Sequence, residues 1–292
     1  MLRTPTFFLV SVALALGACS PEADDPPTTT TTISQSSTST TLADDAEPCS
    51  SGDLPFVSDG LVGAIGAADG DATTVTQIRW EPGIECERIV VSFATESGAP
   101  ATSLGPSGVT NFGFAGLIRV TLPEGVVATS VADMLTDGAL LETTYVVRDE
   151  SDALTIDLHA SNGVPLAARA FVTGSPASLV IDLVRDPNMA APSGAAVAST
   201  AVVVTPSSGP GLYPFIVSAY VQPGLRTVTL QLSSGDVTAL DRTISLDGFT
   251  DAWQSFETRV DDGPGGQSVL FVGQVDPNGR PIDGASISLD LP

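Results

Sequence analysis

From residue 75 to residue 291, short runs of alternating apolar and polar side chains recur, each stopped within a few residues by Pro, Gly or Asp. Successive side chains on a strand point to opposite faces. Leu154-Thr155-Ile156-Asp157-Leu158-His159 therefore offers an apolar face of Leu154, Ile156 and Leu158, and Thr155, Asp157 and His159 are expected on an exposed polar face. Val228, Leu230 and Leu232 alternate in the same way with Thr229 and Gln231. Strands are expected at 75–80, 88–93, 117–122, 154–159 and 179–183 in the first part of the chain. In the second part they are expected at 202–206, 215–220, 227–232, 242–246, 253–260, 268–274 and 285–291, a number that suits a sandwich. One short helical stretch is expected at 130–135. The fold class is thus mainly β, with two antiparallel β domains.

The chain opens with Arg3, an apolar run at 7–16 and then Leu16-Gly17-Ala18-Cys19. That layout is a secretory signal, and the run is too short for the roughly 20 apolar residues of a membrane-spanning helix. Leu16-Gly17-Ala18-Cys19 resembles the bacterial lipobox. The resemblance implies that residues 1–18 are removed and that Cys19 carries a lipid anchor holding the chain on the extracytoplasmic face of the cell membrane. An ordinary signal peptide cut near Ala18 is the alternative. Residues 19–48 hold Pro26-Pro27, the run Thr28 to Thr32 and almost no large apolar side chain, a composition that cannot offset the entropy of folding. They are expected to form a disordered tether.

All 11 basic residues are arginine, against 34 acidic ones. So acidic a chain opposes binding to nucleic acid. Apart from Cys19 the only cysteines are Cys49 and Cys86. Export places them where disulfides persist, and closing a loop of about 38 residues is worth roughly 4 kcal/mol on the chain-entropy model. With one histidine and no Cys-x-x-Cys spacing, neither a metal nor another cofactor is expected. The acidic turns at 261–263 and 276–283 read as hairpin turns before calcium loops.

A composition break at 188–200 separates a first domain at 49–187 from a second at 201–292. Val75-Thr76-Gln77-Ile78-Arg79-Trp80, Glu87-Arg88-Ile89-Val90-Val91-Ser92-Phe93 and Ser178-Leu179-Val180-Ile181-Asp182-Leu183 together resemble an AMIN-like domain of bacterial envelope proteins, over about residues 55–187. The second domain, with Thr205-Pro206, Asp251-Ala252-Trp253-Gln254-Ser255-Phe256 and Ser286-Ile287-Ser288-Leu289-Asp290-Leu291, resembles the immunoglobulin-like domain of bacterial spore-germination proteins, over about residues 200–292. The first resemblance implies binding or scaffolding in the cell wall. Neither supplies a catalytic residue to transfer.

The expected function is a noncatalytic envelope lipoprotein that binds peptidoglycan or an envelope protein, anchored to the membrane by its lipid. A structural spacer or an accessory subunit of an envelope complex is the alternative, and a cell-wall hydrolase stands further behind. Asp157 with His159 looks like a base and its orienting acid, but no Gly-x-Ser-x-Gly elbow accompanies the pair. Glu85 and Glu87 read as solvated turn residues beside Cys86. Arg79, Arg88 and Arg119 are the candidate binding residues, because arginine's planar fork suits carboxylates. An exposed aromatic strip at Trp80 or Trp253 would add to a binding face.

Overall fold

The computed structural model describes Cys49 and residues 54–292. Among them there is no α-helix, and the protein is mainly β and sandwich-like, as its alternating pattern predicts. The N-terminal half holds β1 (Gly60–Ile65), β2 (Thr74–Glu81), β3 (Cys86–Ala94), β4 (Ser107–Phe112), β5 (Leu117–Thr121), β6 (Ala128–Thr129), β7 (Asp133–Leu135), β8 (Leu141–Arg148), β9 (Leu154–Ala160), β10 (Leu166–Thr173) and β11 (Ser178–Arg185). The C-terminal half holds β12 (Ala196–Val197), β13 (Ala201–Thr205), β14 (Gly209–Pro210), β15 (Phe215–Val221), β16 (Thr227–Ser234), β17 (Val237–Ser245), β18 (Trp253–Val260), β19 (Gly266–Val275) and β20 (Pro281–Leu291).

The expected helical stretch at 130–135 is instead β7, paired antiparallel with β8. Asp133 on β7 accepts a hydrogen bond from Trp253 Nε1 at 2.7 Å. A partner strand and a buried indole thus override the weak local helical pattern.

A five-stranded sheet in the order β10-β11-β3-β2-β6 faces strands β1-β4-β5-β9-β8. Ile89, Val91, Leu179, Ile181 and Leu183 from the first meet Val109, Ile118, Val120, Ile156 and Leu158 from the second in one apolar core. Each such fully buried side chain is worth about 1.5–3 kcal/mol. The C-terminal half repeats the scheme, with a sheet in the order β14-β20-β19-β16-β17 covering β18-β15-β13-β12 around Val217, Ala219, Leu230, Leu232, Leu270 and Ile287.

The two halves belong to one compact unit. They share a ten-stranded sheet, because β18 pairs in parallel with β8 at Trp253↔Val147 and Gln254↔Arg148. On the face of this sheet turned away from both cores, Tyr145, Val147, Val202, Tyr220 and Trp253 form a third, smaller apolar cluster. The segment between the halves is also engaged, with the Ser193 backbone N–H donating to the Phe114 carbonyl at 3.1 Å.

Candidate functional site

Cys49 and Cys86 form a disulfide, with their Cα atoms 6.3 Å apart. The spacing falls in the range that a disulfide spans without backbone movement. The bond ties the first described residue to the start of β3. Next to it Asp182, on the middle strand of three, stands directly opposite both Arg88 and Arg169. Its Oδ1 accepts from Arg88 Nε at 2.6 Å and its Oδ2 from Arg169 Nε at 2.9 Å. Arg169 Nη2 also donates to the Cys49 carbonyl at 2.7 Å. The ligand atoms of Cys49, Cys86 and Asp182 lie within 4.8 Å of one another. The disulfide occupies both sulfurs and the two arginines occupy both carboxylate oxygens, so the group is a structural clamp.

The three candidate arginines do not converge. Arg79 and Arg88 lie on neighbouring strands of the five-stranded sheet, and Arg119 lies on β5 of the opposed sheet. Their neighbours Ile78, Ile89 and Ile118 fill the core, which turns the arginines to the outer faces. Arg79 is exposed and pairs with Glu81 at 2.7 Å. Arg88 and Arg119 each already hold a carboxylate by two N–H donors: Arg88 that of Asp182, and Arg119 that of Asp157 at 2.8 and 2.6 Å. These hydrogen bonds raise both guanidinium pKa values above their ordinary range.

Asp157 and His159 are buried, at 0% and 4% exposure, against the expectation of an exposed polar face. The reason is tertiary. Tyr220 of β15, three strands away in the shared sheet, folds over them, and its Oη shares a hydrogen bond with His159 Nε2. Burial lowers the His159 pKa to about 4 and pushes that of Tyr220 well above its ordinary value. Both rings are neutral near pH 7. Tyr145 packs edge-on to His159 at 5.4 Å and to Trp253 at 4.8 Å, and burial pushes its pKa up to about 12.

Glu87 is likewise not a solvated turn residue. It is buried on β3, and its carboxylate accepts from Trp80 Nε1 at 3.0 Å and from the backbone N–H groups of Leu140 and Leu141 at 2.9 and 3.2 Å. Trp80 is half-buried against the core and Trp253 is buried at the junction, so the two tryptophans form no exposed strip. Asp276 closes its own turn, accepting from the backbone N–H groups of Asn278 and Arg280 at 2.8 and 2.9 Å.

Two recesses stand out. One, of about 670 Å³, lies beside the disulfide among Phe56, Ile84, Leu140 and Pro187. The other, of about 370 Å³, opens where the halves part beyond their short parallel pairing. Arg119, Thr155, Ser218, Tyr220, Ser255 and Glu257 line it, and Val147, Asp149, Glu150, Ser151 and Phe256 complete the wall. We take this interlobe cleft as the candidate site, because its wall includes Arg119 and Tyr220, which are held in place by the buried Asp157 and His159 outside its lining. Arg119 was legible in the sequence. Tyr220, Ser218, Ser255 and Glu257 were not, since only the packing of one half on the other brings them to it.

No family model, curated protein or solved structure matches this chain. Among the described residues, no helix is long and apolar enough to cross a membrane. Cys19 and the stretches expected to form the signal segment and the tether lie outside the described residues.

Proposed function

We propose that this chain is a noncatalytic lipoprotein of the bacterial cell envelope, lipidated at Cys19, that binds peptidoglycan or an envelope protein through its β unit. The observation that carries the reading is how firmly Arg119 and Tyr220, which line the interlobe cleft, are held by the buried groups behind them. Arg119 and Asp157 are locked together, and His159 is buried, neutral and bonded to Tyr220. Such groups present a preorganised wall with little freedom to exchange protons with a ligand, which suits recognition rather than turnover. The Cys49–Cys86 disulfide supports an extracytoplasmic location, since such bonds persist in oxidising compartments.

The test is sedimentation of the chain beginning at residue 20 with insoluble peptidoglycan, from about 50 to about 500 mM salt. Binding that survives the salt series is expected, because an acidic protein is not drawn to an acidic wall polymer by charge. Failure to sediment, together with capture of one specific protein from membrane extract, would replace wall binding with an accessory-subunit role.

A further inference from the structure

The interlobe cleft carries a more specific reading, which rests on the proposed wall-binding function. We infer that it is a site for a neutral saccharide, the uncharged glycan backbone rather than its acidic substituents.

The argument starts from what Arg119 has left to offer. Its Nε and Nη2 hold the two oxygens of Asp157. That pairing uses one of the two edges by which a guanidinium takes a carboxylate in fork geometry, and it balances the positive charge. Among the described residues Nη1 has no acceptor, and the side chain is 34% exposed along the cleft. Arg119 can therefore donate from its remaining Nη hydrogens to a hydroxyl or an amide carbonyl, and because its charge is already balanced by Asp157 it gives an anion little net attraction.

The rest of the wall has the same preference. Glu257 is exposed and close enough to help raise the Arg119 pKa. Glu150 is exposed, and Asp149 is half-buried with one oxygen bound in its own turn. Three carboxylates against one compensated guanidinium repel an anion. They accept hydrogen bonds well from sugar hydroxyls. Ser218, Ser255, Thr155 and Ser151 add hydroxyls that both donate and accept, and Phe256, Val147 and the Tyr220 ring give the recess an apolar wall. A ligand that suits this lining carries many hydroxyls, an apolar ring face and no net negative charge. The volume of about 370 Å³ sits at the small end of the range for small-molecule sites, roughly 300–1,000 Å³, so a short saccharide segment fits and a folded partner does not.

The probe is a β-1,4-linked N-acetylglucosamine tetramer, with an oligogalacturonate of equal length as the anionic comparison, titrated into the isotope-labelled chain beginning at residue 20. Amide shifts clustered at 149–155, 218–220 and 255–257 are expected for the neutral tetramer. The anionic oligomer should bind at least about tenfold more weakly. Ser218→Trp, which fills the recess, and the exposed Glu257→Gln should each weaken tetramer binding while the remaining spectrum stays that of the folded protein. Shifts confined to another surface, equal binding of both oligomers, or binding unchanged in both variants would overturn the inference. If the protein sediments with peptidoglycan but the tetramer causes no shifts, the cleft assignment falls and the wall-binding reading stands. If the tetramer binds in the cleft but the protein does not sediment, the reverse holds. Absence of both would remove both.

Discussion

Arg148, at the end of β8, donates from Nη2 to Asp251 Oδ2 at 2.7 Å across the junction between the two β halves. Its Nη1 donates to Asp152 at 2.7 Å, and its guanidinium lies 4.9 Å from the centre of the Phe249 ring. The side chain is only 5% exposed, whereas Asp251 is 35% and Asp152 67% exposed. The parallel pairing of β8 with β18 covers only two residue pairs, so this side chain supplies much of the polar hold between the halves.

Arg148→Ala is expected to destabilise the protein by about 3 kcal/mol, through lost packing and unpaired acceptors. Asp251→Ala should cost only about 1 kcal/mol, because its partly exposed carboxylate is screened by solvent. A urea-denaturation double-mutant cycle between the two should give a coupling of about 1 kcal/mol. Strict additivity would mean that the contact does not join the halves energetically.

Asp182→Asn removes the one charge shared by Arg88 and Arg169, whose side chains are 18% and 5% exposed. Taking the shared carboxylate charge from the partly buried Arg88 and the buried Arg169 is expected to cost about 3 kcal/mol. The exposed pair of Arg79 and Glu81 provides the contrast, and Arg79→Ala should change stability by no more than about 0.5 kcal/mol. Midpoints of urea unfolding for the two variants, measured side by side, check both statements, and comparable losses would contradict the assignment of Asp182 as the clamp.

Cys49→Ser is expected to lower stability by about 2–4 kcal/mol, the usual effect of opening a disulfide loop, and to leave the β fold intact because Cys49 lies outside the apolar core. Intact-mass analysis after alkylation without reduction should find neither Cys49 nor Cys86 labelled. Far-ultraviolet dichroism of the variant should keep its strand signature. Loss of that signature would make the bond a condition of folding rather than a staple.

How far the sequence reveals this arrangement depends on how each strand is buried. β9 and β16 are readable because alternation marks one face for the core. β8 and β10 escape such reading, since Thr143 to Arg148 and Leu166 to Ala170 are buried without a break, and the alanines of β10 are poor strand formers. The site divides in the same way. Arg119 is visible as a surface arginine, and Asp157 and His159 are visible as a polar stripe. Which side chain covers that stripe depends on a cross-half contact made by Tyr220, 61 residues further along. Strand spacing predicts two faces but is silent on what is packed against each. The partners of Arg88 follow from strand order as well, because Asp182 reaches it only once β11 lies between β3 and β10.

The junction should be acid-sensitive, and the sign follows from His159. Burial lowers its folded pKa from 6.5 to about 4. Above about pH 6.5 the imidazole is neutral whether the chain is folded or not, and it imposes no penalty. As the pH falls from 6.5 towards 4, the unfolded chain takes up a proton that the folded one resists, so stability is lost through that window. At pH 5 the loss should be about 2 kcal/mol relative to pH 7. Asp71, Asp186 and Asp276 work lower on the scale. Hydrogen bonds, led respectively by those from Ser103, Ser58 and Arg280, hold their folded pKa values below 3.8, so their contributions persist at pH 5 and fade only below it. His159→Gln keeps a polar side chain against Tyr220 but cannot titrate. Urea unfolding at pH 7 and pH 5 should therefore show a drop in the wild-type chain that the variant largely lacks, and equal drops in both would show that the buried imidazole is not the group that senses acid.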